Sequence, residues 1–170
     1  MEILEIIILI IAYVIPLYLA NATPIIIHGK KPLDFGKNWK GKRILGDGKS
    51  IVGSVAGVIV GFLAAIIFSF SYPPLLVTIP NYLFLAFLLA FGAILGDIVE
   101  SFFKRRMGLK RGAQLILCDQ LDFVIGGLIL SLIIRIPELE VIVVLLIATI
   151  FIHIITNFIA FKLKLKKVPW

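Results

Sequence analysis

The segment from Ser50 to Gly96, SIVGSVAGVIVGFLAAIIFSFSYPPLLVTIPNYLFLAFLLAFGAILG, contains no charged residue. A helix of about 20 apolar residues crosses the hydrocarbon core of a bilayer, so this run is long enough for two crossings. Turn signals with proline, SYPP at 71–74 and IPN at 79–81, divide the run near its middle. The segment therefore predicts two antiparallel membrane helices joined by a short turn.

Further apolar runs extend this pattern over the rest of the chain. Of its 170 residues, 61 % are hydrophobic, whereas soluble domains are about half apolar. Glu2 and Glu5 stand where a secretory signal would carry positive charge, so we predict that the first helix is retained. The sequence predicts an all-α, polytopic integral membrane protein with a single domain over residues 1–170. The five predicted transmembrane helices cover about 3–20, 51–71, 80–103, 117–134 and 139–161.

The basic residues predict the orientation of these helices. Seven of the 17 Lys and Arg residues lie in the loop 21–50, five in 104–118 and four after Phe161, and only Arg135 lies in the last loop. Basic residues accumulate on the cytoplasmic side of membrane proteins. We therefore expect the loops 21–50 and 104–116 and the C-terminus in the cytoplasm, and the N-terminus outside. The net charge of +7 is then concentrated on one face, which suits phosphate ligands.

Three aspartates fall at this cytoplasmic face. Asp97 is near the end of the third predicted helix, and Asp119 and Asp122 are at the start of the fourth, three residues apart and therefore on one helical face. Mg²⁺ prefers one or two carboxylates together with phosphate oxygens. We predict these aspartates as catalytic residues and Mg²⁺ ligands. The alternative is that they only mark a helix end, where an acidic residue favours the helix dipole.

Two basic, glycine-containing segments flank the aspartates. KRRMGLKRG at 104–112 carries five cations, with Lys104 as a predicted catalytic residue. NWKGKRILGDGKSIVG at 38–53 leads into the N-terminus of a helix, which can bind phosphate. It is not a nucleotide-binding P-loop, because the earlier glycine of that motif would fall on Arg43. An ordinary positive-inside loop is the alternative. The predicted substrate-binding residues here are Arg43, Gly46, Gly48, Lys49, Ser50, Ser101, Arg105, Lys110, Arg111 and Gly112.

These segments carry a resemblance to a known family. SFFKRRMGLK (101–110) and DQLD (119–122) resemble the S-x-x-K-R-x-x-x-x-K and D-x-x-D parts of the CTP-dependent phosphatidate cytidylyltransferases. Bacterial and eukaryotic members differ at Arg111 and Gln120 and have a P-G-H-G-G stretch that this chain lacks. The chain is similar to the archaeal branch, the CDP-archaeol synthases, in these departures and in three further segments, KRRxGxKRG, DQLDF and RILGDGKS.

The resemblance implies an enzyme and its substrates. It implies transfer of CMP from CTP to unsaturated archaetidic acid (digeranylgeranylglyceryl phosphate), with formation of CDP-archaeol and pyrophosphate in archaeal phospholipid biosynthesis. The implied cofactor is Mg²⁺, and the implied partners are CTP, the isoprenoid lipid phosphate and membrane lipids, with no nucleic acid. The enzyme would lie in the cell membrane with its active site facing the cytoplasm. Whether it forms a homo-oligomer is left open.

Polar residues near the first and last helices have two interpretations. His153 and Asn157 are four residues apart on one helical face and either tie helices together or position substrate, as the H-x-x-x-N resemblance to the archaeal family implies. Asn21 and Pro24 either end the first helix or form a wall of the substrate site.

Another class of function is also compatible with an acidic membrane site. A small transporter or channel subunit could use the aspartates to bind cations. Such a pathway would place polar groups near the middle of the membrane or on both faces, whereas here they crowd one face. The motif of a third class, the CDP-alcohol phosphotransferases, is missing.

Overall fold

The computed structural model describes residues 3–109, 113, 115 and 117–164, and nearly all of its regular structure is helical. This confirms the predicted all-α class. Two short strands, β1 (Asn38–Trp39) and β2 (Lys42–Arg43), pair as an antiparallel hairpin, with Asn38 opposite Arg43 and Trp39 opposite Lys42. The elements in chain order are α1 (Ile3–Ile26), β1 (Asn38–Trp39), β2 (Lys42–Arg43), α2 (Ile51–Ser71), α3 (Pro74–Thr78), α4 (Tyr82–Arg106), α5 (Cys118–Ser131) and α6 (Leu139–Lys162).

Within the described residues, four helices are long and apolar enough to cross a membrane, namely α1, α2, α4 and α6. α5 is shorter. Its 14 residues cover about 21 Å at about 1.5 Å per residue, against about 30 Å for the hydrocarbon core. The polytopic membrane class is confirmed, and five crossings remain a prediction.

α1 is longer than the sequence predicts. The sequence predicts its end near residue 20, and one of the two interpretations of Asn21 and Pro24 has them end the helix, but α1 continues to Ile26 with Pro16 and Pro24 inside it. A proline cannot donate a hydrogen bond to the carbonyl four residues earlier. For Pro16 that carbonyl belongs to Ala12, and the Tyr82 hydroxyl donates to it over 3.0 Å. A tertiary contact thus supplies the hydrogen bond that the sequence removes.

Glycines allow α1 and α2 to touch through their backbones. A Cβ atom at Gly57 would lie 2.6 Å from the carbonyl oxygen of Ala20, and one at Gly61 would lie 2.6 Å from that of Pro16. Both distances are too short for any side chain. The four-residue spacing puts the two glycines on one face, an arrangement typical of close helix packing in membranes.

α4 and α5 pack antiparallel and even more closely. A Cβ atom at Gly92 would lie 2.7 Å from the Cα of Gly127, and a Cβ atom at Gly96 would overlap the carbonyl oxygen of Asp122. On the α5 side, a Cβ atom at Gly126 would lie 2.8 Å from the Cα of Gly96. Because Asp122 lies in this contact and Asp97 follows Gly96, the glycines bring acidic residues of two helices together.

α6 packs on the bundle through one narrow stripe. Its buried residues are Val141, Leu145, Thr149 and Asn157, spaced by multiples of four. The Thr149 hydroxyl accepts a hydrogen bond of 2.8 Å from Tyr18 of α1. Most of the remaining α6 side chains are exposed, as expected for a helix whose outer face contacts lipid.

Candidate active site

Three carboxylates from α4 and α5 form a compact cluster. One oxygen from each of Asp97, Glu100 and Asp122 lies within 4.8 Å of the others, and all three residues are half-buried. Asp97 and Glu100 are three residues apart on one face of α4, and the glycine contact with α5 places Asp122 opposite them. Carboxylate oxygens at such distances are suitable ligands for a divalent cation. We refer to Asp97, Glu100 and Asp122 as the acidic triad.

The triad differs from the metal ligands predicted from the sequence. Asp97 and Asp122 are brought together as predicted, but Asp119 makes other contacts. Its Oδ1 accepts hydrogen bonds from Lys104 Nζ at 2.7 Å and from the backbone N–H of Leu115 at 3.1 Å. Lys104 Nζ also lies 2.7 Å from Glu100 Oε1. Lys104 therefore links Asp119 to the edge of the triad.

Sequence reasoning missed Glu100. The available signal was its spacing, since it follows Asp97 by three residues, as Asp122 follows Asp119. Ser101 and Lys104, further along the same helix, are both buried.

The segment between α1 and α2, residues 27–50, is called the first loop. It contacts the acidic triad through Lys49. Lys49 Nζ lies 2.5 Å from Asp97 Oδ1, and about one fifth of each side chain is exposed. Lys49, a predicted substrate-binding residue, and Lys104, a predicted catalytic residue, thus lie beside carboxylates. The structure therefore brings one lysine from each predicted basic segment to the acidic residues.

Asp34, which sequence reasoning missed, organises the first loop. Its fully buried carboxylate accepts hydrogen bonds from the Arg43 guanidinium and from the backbone N–H groups of Gly36, Leu45 and Gly46. Although burial opposes ionisation, these donors hold the pKa of the Asp34 carboxyl well below its usual range. The sequence offered no signal for this role beyond an aspartate before Phe-Gly in a turn.

Other predicted residues of the first loop have structural contacts. Arg43 pairs with Asp47 at 2.7 Å as well as with Asp34. Ser50 is the N-cap of α2, and its hydroxyl oxygen accepts from the N–H groups of Gly53 and Gly29, each at 3.0 Å. Gly46 has a φ of 90°, which favours glycine.

The remaining predicted residues near this loop are only partly described. Gly48 is exposed, and Arg105 lies near Gly46, with its Cδ 3.9 Å from where a Gly46 Cβ would be. Lys110, Arg111 and Gly112 lie outside the described residues.

The β1–β2 hairpin is attached to the end of α4. The Arg106 guanidinium donates to the carbonyl oxygens of Trp39 at 2.6 Å and Arg43 at 2.5 Å. The Trp39 ring stacks on Phe102 with 5.5 Å between centroids. The first loop is thus fixed to the same helix that carries Asp97 and Glu100.

The polar residues predicted on α6 face the bundle. Asn157 Nδ2 lies 2.9 Å from His153 Nδ1, and the His153 ring lies 6.3 Å from the ring of Phe123, the residue after Asp122. On α1, Asn21 is half-buried and Pro24 lies against the start of α2, near Gly53. The described contacts therefore place His153 beside Phe123 of α5 and Pro24 beside the first turn of α2.

Comparisons with known proteins agree with the resemblance in the motifs. The family model for CarS-like CDP-archaeol synthases matches residues 3–170. The chain is 41 % identical to a CDP-archaeol synthase of Thermococcus onnurineus over 93 % of this chain and 94 % of the relative. It is 43 % identical to one of Methanospirillum hungatei, over 92 % of this chain and 99 % of that relative.

A solved structure shows the same fold. It is described as an intramembrane enzyme for archaeal membrane lipid biosynthesis, and it matches with a TM-score of 0.78 and 36 % identity over 92 % of this chain and 94 % of its own. These similarities favour an enzyme over the transporter or channel subunit that an acidic membrane site also allows. The chain belongs to the CDP-archaeol synthase family.

Proposed function

We propose that the acidic triad and its two lysines are the site at which this membrane enzyme forms CDP-archaeol. An oxygen of the lipid phosphate forms a bond to the α-phosphorus of CTP, and the bond from that phosphorus to the bridging oxygen breaks. Pyrophosphate leaves with the electron pair. The observation that carries the proposal is the convergence of Asp97, Glu100 and Asp122 beside Lys49 and Lys104.

The donor set of the triad fits Mg²⁺. It offers hard carboxylate oxygens from a helix pair that is packed backbone to backbone. Asp97, Glu100 and Asp122 would hold the ion, which when bound would neutralise phosphate charge and polarise phosphoryl oxygens. Asp119 would act beside this set by holding Lys104 in place.

The two lysines suit a reaction between anionic phosphates. Lys49 and Lys104 each pair with carboxylates in the structure, and their ammonium groups can instead contact phosphate oxygens when substrates bind. A phosphomonoester carries about −1.5 to −2 charge at neutral pH, so its oxygen needs no general base. The chain's own residues would therefore act by orienting the phosphates and balancing their charge.

A transfer assay tests this function directly. Purified protein in lipid vesicles is incubated with Mg²⁺, CTP labelled in its α-phosphate and unsaturated archaetidic acid. We expect label to move into the lipid phase only when all three are present. Phosphatidic acid in place of the archaeal lipid tests the substrate class. Label that stays in the aqueous phase with every lipid phosphate would refute the proposed function.

The orientation of the site is a separate proposal. We propose that the ends of α4 and α5 that carry the triad face the cytoplasm, because the basic residues concentrate at that end of the bundle. Cysteines introduced at Lys37 and Lys164 should react only with a reagent that reaches the cytoplasm, and one at Asn81 only with an external reagent. Labelling of Lys37 and Asn81 positions from the same side would contradict this topology.

A further inference from the structure

We propose that Asp34 is a positioning residue for the transfer reaction, because it holds the first loop in the conformation that delivers Lys49 to the acidic triad. The inference rests on the proposed function of the triad. Asp34 contacts none of the triad residues in the described structure, so its effect would pass through the loop.

Both oxygens of the Asp34 carboxylate accept hydrogen bonds from the loop. Oδ2 accepts from Arg43 Nε at 3.3 Å and from the N–H groups of Leu45 and Gly46 at 2.9 and 3.0 Å. Oδ1 accepts from Gly36 N at 3.0 Å and from a terminal Arg43 nitrogen at 2.8 Å. Every neighbour is a donor, so only a group with two acceptor oxygens can satisfy them.

Two backbone hydrogen bonds connect the segment before Asp34 to the chain at Lys49. The N–H of Leu33, the residue before Asp34, donates to the Lys49 carbonyl oxygen at 2.7 Å, and Ile51 N donates to Lys31 O at 3.2 Å. These two bonds pair segment 31–33 with segment 49–51. Asp34 ties the same segment to residues 43–46, so residue 49 is held from both sides.

The position of the backbone at Lys49 determines whether its side chain contacts the acidic triad. The chain after Lys49 enters α2, whose first turn is capped by Ser50, so the backbone at residue 49 has a defined position. From there Lys49 Nζ reaches Asp97 at 2.5 Å. A displacement of about 1 Å at a reacting site can lower a rate about a hundredfold. Loss of the hydrogen bonds to Asp34 should therefore displace Lys49 and lower the rate of the reaction.

The test is a double-mutant cycle with the transfer assay. Asp34→Asn keeps the side chain's shape but turns an amide N–H₂ toward donors. We expect this variant to lower kcat/KM for CTP by about 10- to 100-fold, and by less than about threefold when Lys49→Met is already present. Glu140→Gln is the control, because Glu140 is an exposed acidic residue in the first turn of α6, outside the loop; it should retain the activity of the unmodified protein.

The cycle separates positioning from a general loss of structure. Equal losses in the two backgrounds, or an unchanged rate in Asp34→Asn, would overturn the proposal. If Asp34→Asn cannot be purified, Asp34→Glu enters the same cycle, since it keeps two acceptor oxygens at a shifted position. It is then judged by the same comparison of the two backgrounds.

Hydrogen exchange provides a readout that does not depend on activity. In Asp34→Asn the amides of residues 33–49 should exchange faster than in the unmodified protein, while those of α2 and α4 stay protected. Unchanged exchange in this loop would overturn the role of Asp34 even if no CDP-archaeol is formed. Failure of the unmodified protein to form CDP-archaeol refutes the proposed function instead, so the two failures are distinguishable.

Discussion

Asp97→Asn and Asp122→Asn should each reduce cytidylyl transfer by about a thousandfold or more, equivalent to about 4 kcal/mol in the activation free energy. Each change preserves the volume of the side chain but removes one negative charge from carboxylates that lie within 4.8 Å of one another. The charge that would hold Mg²⁺ against the triphosphate is then insufficient. Insertion and yield should be normal, because neither carboxylate makes the α4–α5 backbone contact. Initial rates against Mg²⁺ concentration measure the effect.

The same titration distinguishes the acidic triad from Asp119. Glu100→Gln should raise the Mg²⁺ concentration needed for half-maximal activity, and so should Asp97→Asn and Asp122→Asn. Asp119→Asn should lower turnover with a smaller change in that concentration, because Asp119 pairs with Lys104 and is not one of the three carboxylates that lie within 4.8 Å of one another. Glu140→Gln, at an exposed acidic position in the first turn of α6, is the control and should match the unmodified protein. Near-normal turnover in Asp122→Asn would refute the proposed mechanism.

Gly96→Ala should both destabilise the protein and nearly abolish transfer. The new Cβ would overlap the Asp122 carbonyl oxygen, so α4 and α5 must separate or shift. Overpacking of this kind costs about 1–3 kcal/mol. Separation also moves Asp97 away from Asp122, and a displacement of about 1 Å would lower the rate about a hundredfold. Thermal unfolding in detergent and the transfer assay measure the two effects.

A matched control shows whether the Gly96 effect comes from the helix contact. Val99→Leu adds a methylene to the same helix at a position that is 50 % exposed, and it should leave the unfolding temperature and the rate unchanged. If Gly96→Ala retains both the stability and the activity of the unmodified protein, the close approach of α4 and α5 does not assemble the site.

The sequence predicts α4 and α5, which carry the site, as helices but does not predict how they pack. The uncharged run from Ser50 to Gly96 was sufficient to predict membrane helices, because hydropathy and turn residues are local properties of a sequence. Helical spacing also showed which residues share a face, as for Asp119 and Asp122. Helical spacing could not show which face of α4 packs against α5. The observed packing places Glu100 in the triad, whereas the sequence predicted Asp119 as the third ligand.

The first loop and α1 show the same limit. The basic residues of the loop predicted phosphate binding, but the buried carboxylate of Asp34 that organises them was invisible without the loop's conformation. Of the two interpretations of Pro24, the helix end is wrong, because α1 continues to Ile26; the carbonyl freed by Pro16 accepts a hydrogen bond from Tyr82. The sequence by itself determined the membrane class, the helical architecture and the accumulation of acidic and basic residues at one face. Only the tertiary structure decided which of those residues meet, because contacts between helices depend on how closely glycine surfaces let two backbones approach.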